Sequence, residues 1–529
     1  MYPKVNLQKL QSILNDRFED GFLTLRDLPK PSLLKDMNKA TTRIVEAISK
    51  KQKIYIIGDY DVDGVVATTL MKLFFDYVEY DVNYIIPNRF SDGYGLSSSV
   101  LDRVYECDLI ITVDNGISAY DASLICEQRG IDLIVTDHHL LPPKLPKAYA
   151  IIDQKQDDCT FPYDEICGAQ IAWYLIASLK SALNLDINMI ELLEFCSLAI
   201  IADMMPLTHI NRVMTIAGIK AINTSVKAPI KAIKEHLDKE VINSEDIAFF
   251  IAPVLNSAGR MEDASFAVDF LLSTNIYDAR SKLQKLISFN ENRKDIEASI
   301  TKEALSKASK DDDIIVVDGE DWHEGVVGIV AARVGRELEK PCIILTNSNE
   351  DTLKGSGRSF YECDLFEVVG ECRDMLDKFG GHSAAIGLSL KSKNLPLFKT
   401  KLQDIYRSKN YTKTTYDSEI VGEIDFRDIS FELIELIKCY EPFGMGNPAV
   451  KFIAKNVEVL KVDTMGKDAQ HQRFALRQNG VVFIGVKFKS SVQIEASNIV
   501  EISFHLNENN FRGEKSIQLF IDKINISYI

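Results

Sequence analysis

The sequence predicts an α/β protein of two α/β lobes, the first built on a parallel sheet and the second smaller. A helical connector joins them, and an all-β barrel follows at the carboxyl end. Three observations carry this prediction. From 51 to about 210, short apolar runs alternate with helical stretches, the pattern of a parallel sheet covered on both faces. Residues 278–310 are charged, keep helical spacing and hold neither Gly nor Pro, which reads as a long exposed helix between two lobes. Beyond about 449 the chain reads as strands.

Each element follows from local pattern. Residues 1–50 form a helical extension in which "RIVEAISKK" leads into the first strand. In the first lobe, 51–210, "IYII" is a strand and 65–77 a helix. "DVNYIIP", "DLIITVDNG" and "IDLIVTDHH" are further strands, and "AYDASLICEQRG" is a helix closed by Gly130. Residues 211–305 are the connector. The second lobe, 306–400, holds "DIIVVDG", a helix over 325–338, "CIILT" and "HSAAIGLSL". "SKNYTKTT" near 408 reads as a linker. In 415–529, Asn479-Gly480 inside "RFALRQNGVVFIGVKF" marks a two-residue hairpin, and "VEISFHLNENNFRGEKSIQLFI" a second hairpin with a longer loop. An oligonucleotide-binding barrel fits this segment, with Phe474 and Phe511 as base-stacking aromatics.

Bulk composition bounds the function. At 529 residues the chain exceeds one core. No apolar run reaches the ~18–20 residues that span a bilayer, and "MYPKVNLQKLQS" lacks the form of a signal peptide. The nine cysteines include no CxxC pair, which argues against a disulfide framework or a zinc site. We therefore expect a soluble, cytoplasmic protein with reduced thiols and no membrane contact. A net charge of −16 argues against a protein that coats nucleic acid, though not against one that handles it in a local groove.

The acids are placed unusually. Asp59, Asp61 and Asp63 follow the first strand directly. Asp114 ends another strand, and Asp137, His138 and His139 end a third. Open parallel sheets bind ligands outside the carboxyl ends of their strands, so three segments deliver carboxylate and imidazole groups to one edge. Clustered carboxylates take up protons or bind cations. This ligand set suits Mn²⁺ or Mg²⁺ rather than thiol-seeking metals. There are enough acids for two ions sharing one carboxylate, an arrangement that clamps the attacking and leaving oxygens of a phosphoryl displacement. Taken singly, each motif has a plain alternative. "DVDG" resembles part of a calcium loop, but a strand precedes it instead of a helix. Asp-Gly is commonly a turn, and a His pair commonly sits in water. Three such motifs, each closing a strand, leave the metal reading in place.

"DYDVDG", "VDNG" and "TDHH" resemble the successive motifs of the DHH phosphoesterase superfamily, and "LAIIADMMPL" its fourth, with Asp203. "LNSAGRMEDA", "DWHEGVVGIVAARV", "KGSGRSF", "KFGGHSAAIGLSL" and "EPFGMGNP" are similar to the RecJ branch of that superfamily. The resemblance implies a DHH lobe, a DHH-associated lobe and an oligonucleotide-binding domain. It implies that Asp63, Asp114, His138 and Asp203 hold one ion, and that Asp59 and Asp61 hold the second with Asp114 as the bridge. His139 would contact the scissile phosphate, and Asp137 would orient a histidine. Related families carry a His where this chain has Ile57, so the second ion leans on Asp59. Around a terminal 5′-phosphate the resemblance puts Arg89, Ser356 and Arg358, the last two within the flexible glycine backbone of "KGSGRS". Asn256 and Arg260 would line the path of the strand. Gly380, Gly381 and His382 would let backbone approach a polyanion. Neither Cys167 nor Gln170, in a stretch where relatives are richer in Gly and Ala, touches a proposed ligand.

The expected activity is a Mn²⁺- or Mg²⁺-dependent exonuclease that degrades single-stranded DNA from the 5′ end to mononucleotides, in DNA repair and recombination. A single-strand-binding protein and a helicase would be partners of a monomer. Two rivals stand beside it. One is a phosphodiesterase for short oligoribonucleotides or cyclic dinucleotides, which has no reason to carry residues 415–529. The other is a non-catalytic scaffold, for which eroded acids would be expected.

Overall fold

The structure is a computed structural model that describes residues 2–18, 20–349, 351–409, 411, 419–466, 470–490, 492–511 and 514–527. The expected linker near 408–415 lies largely outside the described residues. Helices α1 (Leu7–Asn15) and α2 (Met37–Ser49) precede β1 (Ile54–Ile57). Then come α3 (Val62–Tyr77), β2 (Asn83–Ile85), β3 (Leu109–Val113), α4 (Tyr120–Arg129), β4 (Asp132–Thr136) and β5 (Ala150–Ile152). The strands are all parallel, in the order β2-β1-β3-β4-β5. Their carboxyl ends therefore share one edge.

The strands are continuous apolar runs because both faces are covered. Ile54, Ile56 and Ile111 face a core shared with α2, α3, α5 (Gly168–Ala182) and α6 (Met189–Ala202). Ile57, Ile110 and Val135 face a smaller one under α4. Ile57 is thus a core residue, and the position occupied by His in related families makes no contribution to the metal edge.

The main helices of the connector are α7 (His209–Thr224), α8 (Ala228–Leu237), α9 (Ala252–Met261) and α10 (Ile276–Lys307), with the shorter helix Ser265–Leu271 between the last two. It is less separate than its composition predicts. Ile230, Leu255, Leu283 and Leu286 belong to the first lobe's core, while Ile300 and Ala304 belong to the second's. The charged helix is exposed on one side only and forms a beam that both cores grip.

In the second lobe β6 (Ile315–Gly319), α11 (Val327–Leu338), β7 (Cys342–Asn349), β8 (Thr352–Arg358), β9 (Leu376–His382), β10 (Ala385–Lys391) and α12 (Leu395–Ser408) build a sheet of order β6-β7-β8-β10-β9. Only β6 and β7 are parallel. β8, β9 and β10 run antiparallel to their neighbours. Phe398 and Leu402 of α12 cover one face, and Val330 and Val334 of α11 part of the other.

The third unit begins with β11 (Ile420–Glu423), parallel to β12 (Lys451–Met465). A barrel closes through β12, β13 (His471–Gln478), β14 (Val481–Lys487), β16 (Glu514–Ile526) and β15 (Ile499–Phe511), with β15 returning to β12. Asn479 and Gly480 turn the first hairpin with φ of 48° and 84°, as their pairing predicts. In the second, pairing runs to Phe511–Glu514. Phe474 is fully buried in the barrel core, so it cannot stack on a base. Its side chain points inward because β13 alternates, with Arg473 outside. The side chain of Phe511 lies outside the described residues.

The amino-terminal extension divides. Val5, Leu10, Leu14 and Phe18 join the barrel's core, against Phe426, Tyr440 and Phe452. Val5 N–H donates to Glu423 O at 2.8 Å, and Arg17 donates to Asn447 Oδ1 at 3.0 Å. Such pairing across more than four hundred residues has no local signature. Among the described residues no helix is long and apolar enough to cross a membrane.

Leu14 shows no exposed surface. Leu14→Ala is expected to cost ~2–5 kcal/mol through lost burial and the cavity left behind, seen as an earlier urea transition of the barrel. An unchanged midpoint would mean that α1 merely rests on it.

Candidate metal centre

The site is built where β1, β3 and β4 end. Asp61 caps α3, its Oδ1 accepting from the N–H groups of Asp63 and Gly64 at 3.0 and 3.2 Å. Its other oxygen remains available. A Cβ on Gly64 would lie 2.5 Å from the backbone of Asp59, so only glycine lets the helix start this close to the strand end. Asp63, in the first turn, points at the amino terminus of α5. There Gly168 N–H and Ala169 N–H donate to its two oxygens at 2.6 and 2.8 Å, where the helix dipole favours an anion. A Cβ on Gly168 would meet Asp114 Cβ at 2.5 Å.

Asp114 adopts φ of 62°, a sparsely populated conformation for a residue with a side chain. Both its carboxylate oxygens are buried without a hydrogen-bond partner, as are Asp59 Oδ1 and Asp203 Oδ2. His138 Nε2 lies 3.1 Å from Asp114 Oδ1, 3.6 Å from Asp63 Oδ2 and 3.7 Å from Asp203 Oδ2. Ligand atoms of Asp63, His138 and Asp203 fall within 4.8 Å of one another, and so do those of Asp59, Asp61 and Asp114 and those of Asp114, His138 and His139. Asp114 is thus close to both of the first two groups. Orphaned buried carboxylates gathered with imidazole nitrogen fit a pair of hard divalent cations.

The electrostatics agree. Burial first, then neighbouring carboxylates, push Asp59 and Asp114 well above the usual carboxylate range, and push Asp203 up to about 8. Asp61 is raised for the same reasons. Burial lowers His138 to about 4, leaving the neutral imidazole that metals bind. His139 behaves in the opposite way. Burial opposes its charge, but Asp137, at 2.6 Å from Nδ1, outweighs burial and raises it to about 9. Asp137 also accepts from Ile117 N–H and His138 N–H, each at 2.8 Å. It is fully engaged in orienting the histidine pair and stands outside the metal groups.

Among the expected phosphate contacts, Arg89 stacks over Tyr60 at 5.4 Å, and the adjacent Phe90 meets His323 of the second lobe at 5.5 Å. Asn256 Oδ1 accepts from Val62 N–H at 3.2 Å, and Arg260 donates to Gly325 O across the lobes at 3.2 Å. Ser356 and Arg358 lie on strand β8 and not on a flexible loop, and Arg358 donates to Ser356 Oγ at 2.8 Å. The segment around Gly380 and Gly381 is the β9–β10 hairpin, not a strand–helix turn. Across β8, β10 and β9 the register aligns Arg358, Ala385 and His382, and likewise Ser356, Gly387 and Gly380. Cross-strand partners share a face, so these residues form one shelf with little side-chain cover. Gly381 alternates to the other face, and its φ of 134° explains its identity.

Several site residues are not singled out by the sequence. Gly168 carries the contact to Asp63, while Cys167 and Gln170, noted in the sequence only as departures, reach the site indirectly by forming the cap of that helix. Tyr94 Oη sits 3.2 Å from His139 Nε2. Asn115 ties the loop to the sheet, donating to Ile57 O and accepting from Leu96 N–H, each at 3.0 Å. A polar residue directly after Asp114 is the available signal for Asn115. Gly168 lies fifty-four positions beyond Asp114 and offers none.

Residues 53–200 match the DHH family, N-terminal domain, 311–408 the DHHA1 domain and 420–523 the RecJ OB domain. The chain is 31% identical to the single-stranded-DNA-specific exonuclease RecJ of Haemophilus influenzae over 95% of its own length and 92% of the relative's. It is 33% identical to the Bacillus subtilis RecJ, of which it spans 65%. The fold is similar to the crystal structure of RecJ from Thermus thermophilus in complex with Mn²⁺, with a TM-score of 0.84 at 23% identity, covering 100% of this chain and 80% of that one.

Carboxyl groups raised in the folded protein bind protons more tightly there than in the unfolded chain. These groups therefore withdraw stability from the metal-free protein as pH climbs from about 4 toward 8, the value to which Asp203 is raised. Divalent cations relieve the same repulsion. The gain in melting temperature from Mn²⁺ over EDTA is expected to be larger at pH 8 than at pH 5.5. An equal gain at both would mean the acids are already ionised without metal.

Proposed function

The chain belongs to the RecJ family of single-stranded-DNA-specific exonucleases, and from that premise we propose that it hydrolyses single-stranded DNA from a 5′ end to mononucleotides, with Mn²⁺ or Mg²⁺ as cofactor, in DNA repair and recombination. The convergence of Asp59, Asp61, Asp63, Asp114, His138 and Asp203 at one sheet edge, with Asp114 near both groups, carries this reading. These residues would hold two divalent cations, which would neutralise the charge of a phosphodiester under in-line attack.

The chain's own residues do the rest. The amino terminus of α5 fixes Asp63, and Asp137 fixes His139. A charged His139 then donates a hydrogen bond to a non-bridging oxygen of the scissile phosphate, with Tyr94 bracing its ring. Arg89 from one lobe, with Ser356 and Arg358 from the other, takes the terminal 5′-phosphate. Such a pocket exists only where the lobes meet, so it measures distance from the end and favours exonuclease over endonuclease action. Asn256 and Arg260 line the strand's route, and the shelf of Gly380 and His382 extends the phosphate face. In this reading the chain is a cytoplasmic monomer, supplied with single strands by a helicase and meeting them coated with single-strand-binding protein. A phosphodiesterase for short oligoribonucleotides or cyclic dinucleotides would have no use for the barrel.

With Mn²⁺, 5′- and 3′-labelled single strands and duplexes decide the matter. Mononucleotides released in order from the 5′ end of single strands are expected, and little attack on blunt duplex. Asp114→Ala should be inactive at any Mn²⁺ concentration. Arg358→Ala should lose one charge-assisted contact, ~1.5–3 kcal/mol, or about ten- to a hundredfold in apparent affinity. That loss should fall on 5′-phosphorylated and not on 5′-hydroxyl strands. An equal drop on both ends would remove Arg358 from end recognition. A preference for two- to five-mers would favour the oligoribonucleotide reading.

A further inference from the structure

One edge of the barrel is left open. β12 pairs with β15 only over 499–504, while β16 stays paired with β15 as far as Phe511. From His505 to Asn510, β15 is thus bonded along one edge, and no described strand meets the other. His505 Nδ1 lies 2.9 Å from Val450 O, at the point where β12 begins. An open edge offers a row of backbone N–H and C=O groups, on which another extended chain can form a strand.

That edge runs along a groove of about 630 Å³, a volume in the ~300–1,000 Å³ range of ligand sites. Helix α13 (Phe431–Lys438) lines it with Ile434 and Ile437, and the connector lines it with Ser244 and Glu245. Leu506 shares a face of β15 with Glu508, which accepts from Lys438 of α13 at 2.7 Å, so Leu506 and Ile437 make one apolar side. The acids of the groove differ in their partners. Glu508 is held by Lys438 and Lys515. Glu245 and Glu441 form no ion pair among the described residues. Burial first holds the Glu441 carboxyl above its usual range; Lys438 opposes this and Glu245 adds to it. Two carboxylates thus stand near each other at the groove with no cation fixed between them.

The neighbouring cavity, which holds Asn256, Arg260 and Arg293, shares only Ser244, Glu245 and Phe443 with this groove. Phosphates are drawn to the guanidinium groups there and repelled by the unpaired carboxylates here. The occupant that suits the groove is therefore an extended chain bearing cations. We propose that the groove is a docking site for a partner protein, an extended segment of which adds as a strand to the open edge of β15 and places Lys or Arg against Glu245 and Glu441. Side chains alternate along a strand, so a segment of alternating apolar and cationic residues turns one set to Leu506 and Ile437 and the other to the two acids. This docking goes beyond the hydrolytic reaction and does not depend on it.

The test uses the full chain with Mn²⁺ and a fluorescein-labelled peptide, Gly-Lys-Leu-Lys-Leu-Lys-Gly, followed by anisotropy. The peptide should bind about tenfold more tightly than its counterpart with glutamate in place of every lysine. Two further versions separate strand addition from simple attraction, one N-methylated at the leucine amides and one at the lysine amides. Only alternate amides of an added strand face the edge. One version should therefore bind about tenfold more weakly, for lost backbone hydrogen bonds, and the other like the parent. Glu245→Gln/Glu441→Gln should remove the preference for lysine, whereas Asp311→Asn/Glu320→Gln, at two exposed acids of the second lobe, should leave it intact. Equal binding by the two N-methylated versions would overturn the proposal, and so would a lysine preference that survives Glu245→Gln/Glu441→Gln. Displacement of the peptide by a 5′-phosphorylated thymidine strand with phosphorothioate linkages would overturn it too, since the open edge would then belong to the nucleic acid.

Discussion

Everything in this molecule answers to the repulsion among five aspartates held at one sheet edge. Asp59, Asp61, Asp63, Asp114 and Asp203 lie where water is largely excluded, and several of their oxygens have no protein partner. In such surroundings like charges cannot all remain ionised without cations. The fold supplies only the bracing that keeps the acids from moving apart. Gly64 brings α3 against Asp59, Gly168 brings α5 against Asp114, and two backbone N–H groups hold Asp63. The arrangement repels itself in the bare protein, and divalent cations held there would relieve that repulsion.

The same logic, with the sign reversed, describes the opposite side of the cleft. Arg89, Arg260, Arg293 and Arg358 crowd one another, with Glu297 balancing part of the charge. Acids that need cations face bases that need anions. A metal-bound phosphodiester would satisfy both, so a net charge of −16 does not bar the chain from acting on a polyanion in a local groove. Because α10 carries Arg293 and is packed into the cores of both lobes, the spacing between the two charge clusters is set by a rigid element.

Several parts of this are legible in the residues themselves. Asp59, Asp61 and Asp63 follow closely on one apolar strand and Asp114 and His138 on two others, and strand ends of a parallel sheet have only one edge to share. The Asn479-Gly480 turn and the helix over 276–307 are equally plain, since a left-handed turn and an uninterrupted helical repeat are local properties. Phe474 misleads because alternation shows which residues share a face but does not say which face is inside. The glycines of "KGSGRS" suggest a flexible loop because a strand at the centre of a sheet rarely contains them.

What the sequence determined by itself was therefore the chemistry on offer: which residues could bind metal, and that they gather at one edge. Tertiary structure alone decided the contacts made across long stretches of chain. Gly168 reaches Asp114, Leu14 reaches the barrel core, and Arg260 reaches Gly325 of the second lobe. The physical reason is common to all three. Helix periodicity and strand-end position are encoded in neighbouring residues, whereas close packing between distant segments depends on how whole elements fit together, and no short window of sequence contains that information.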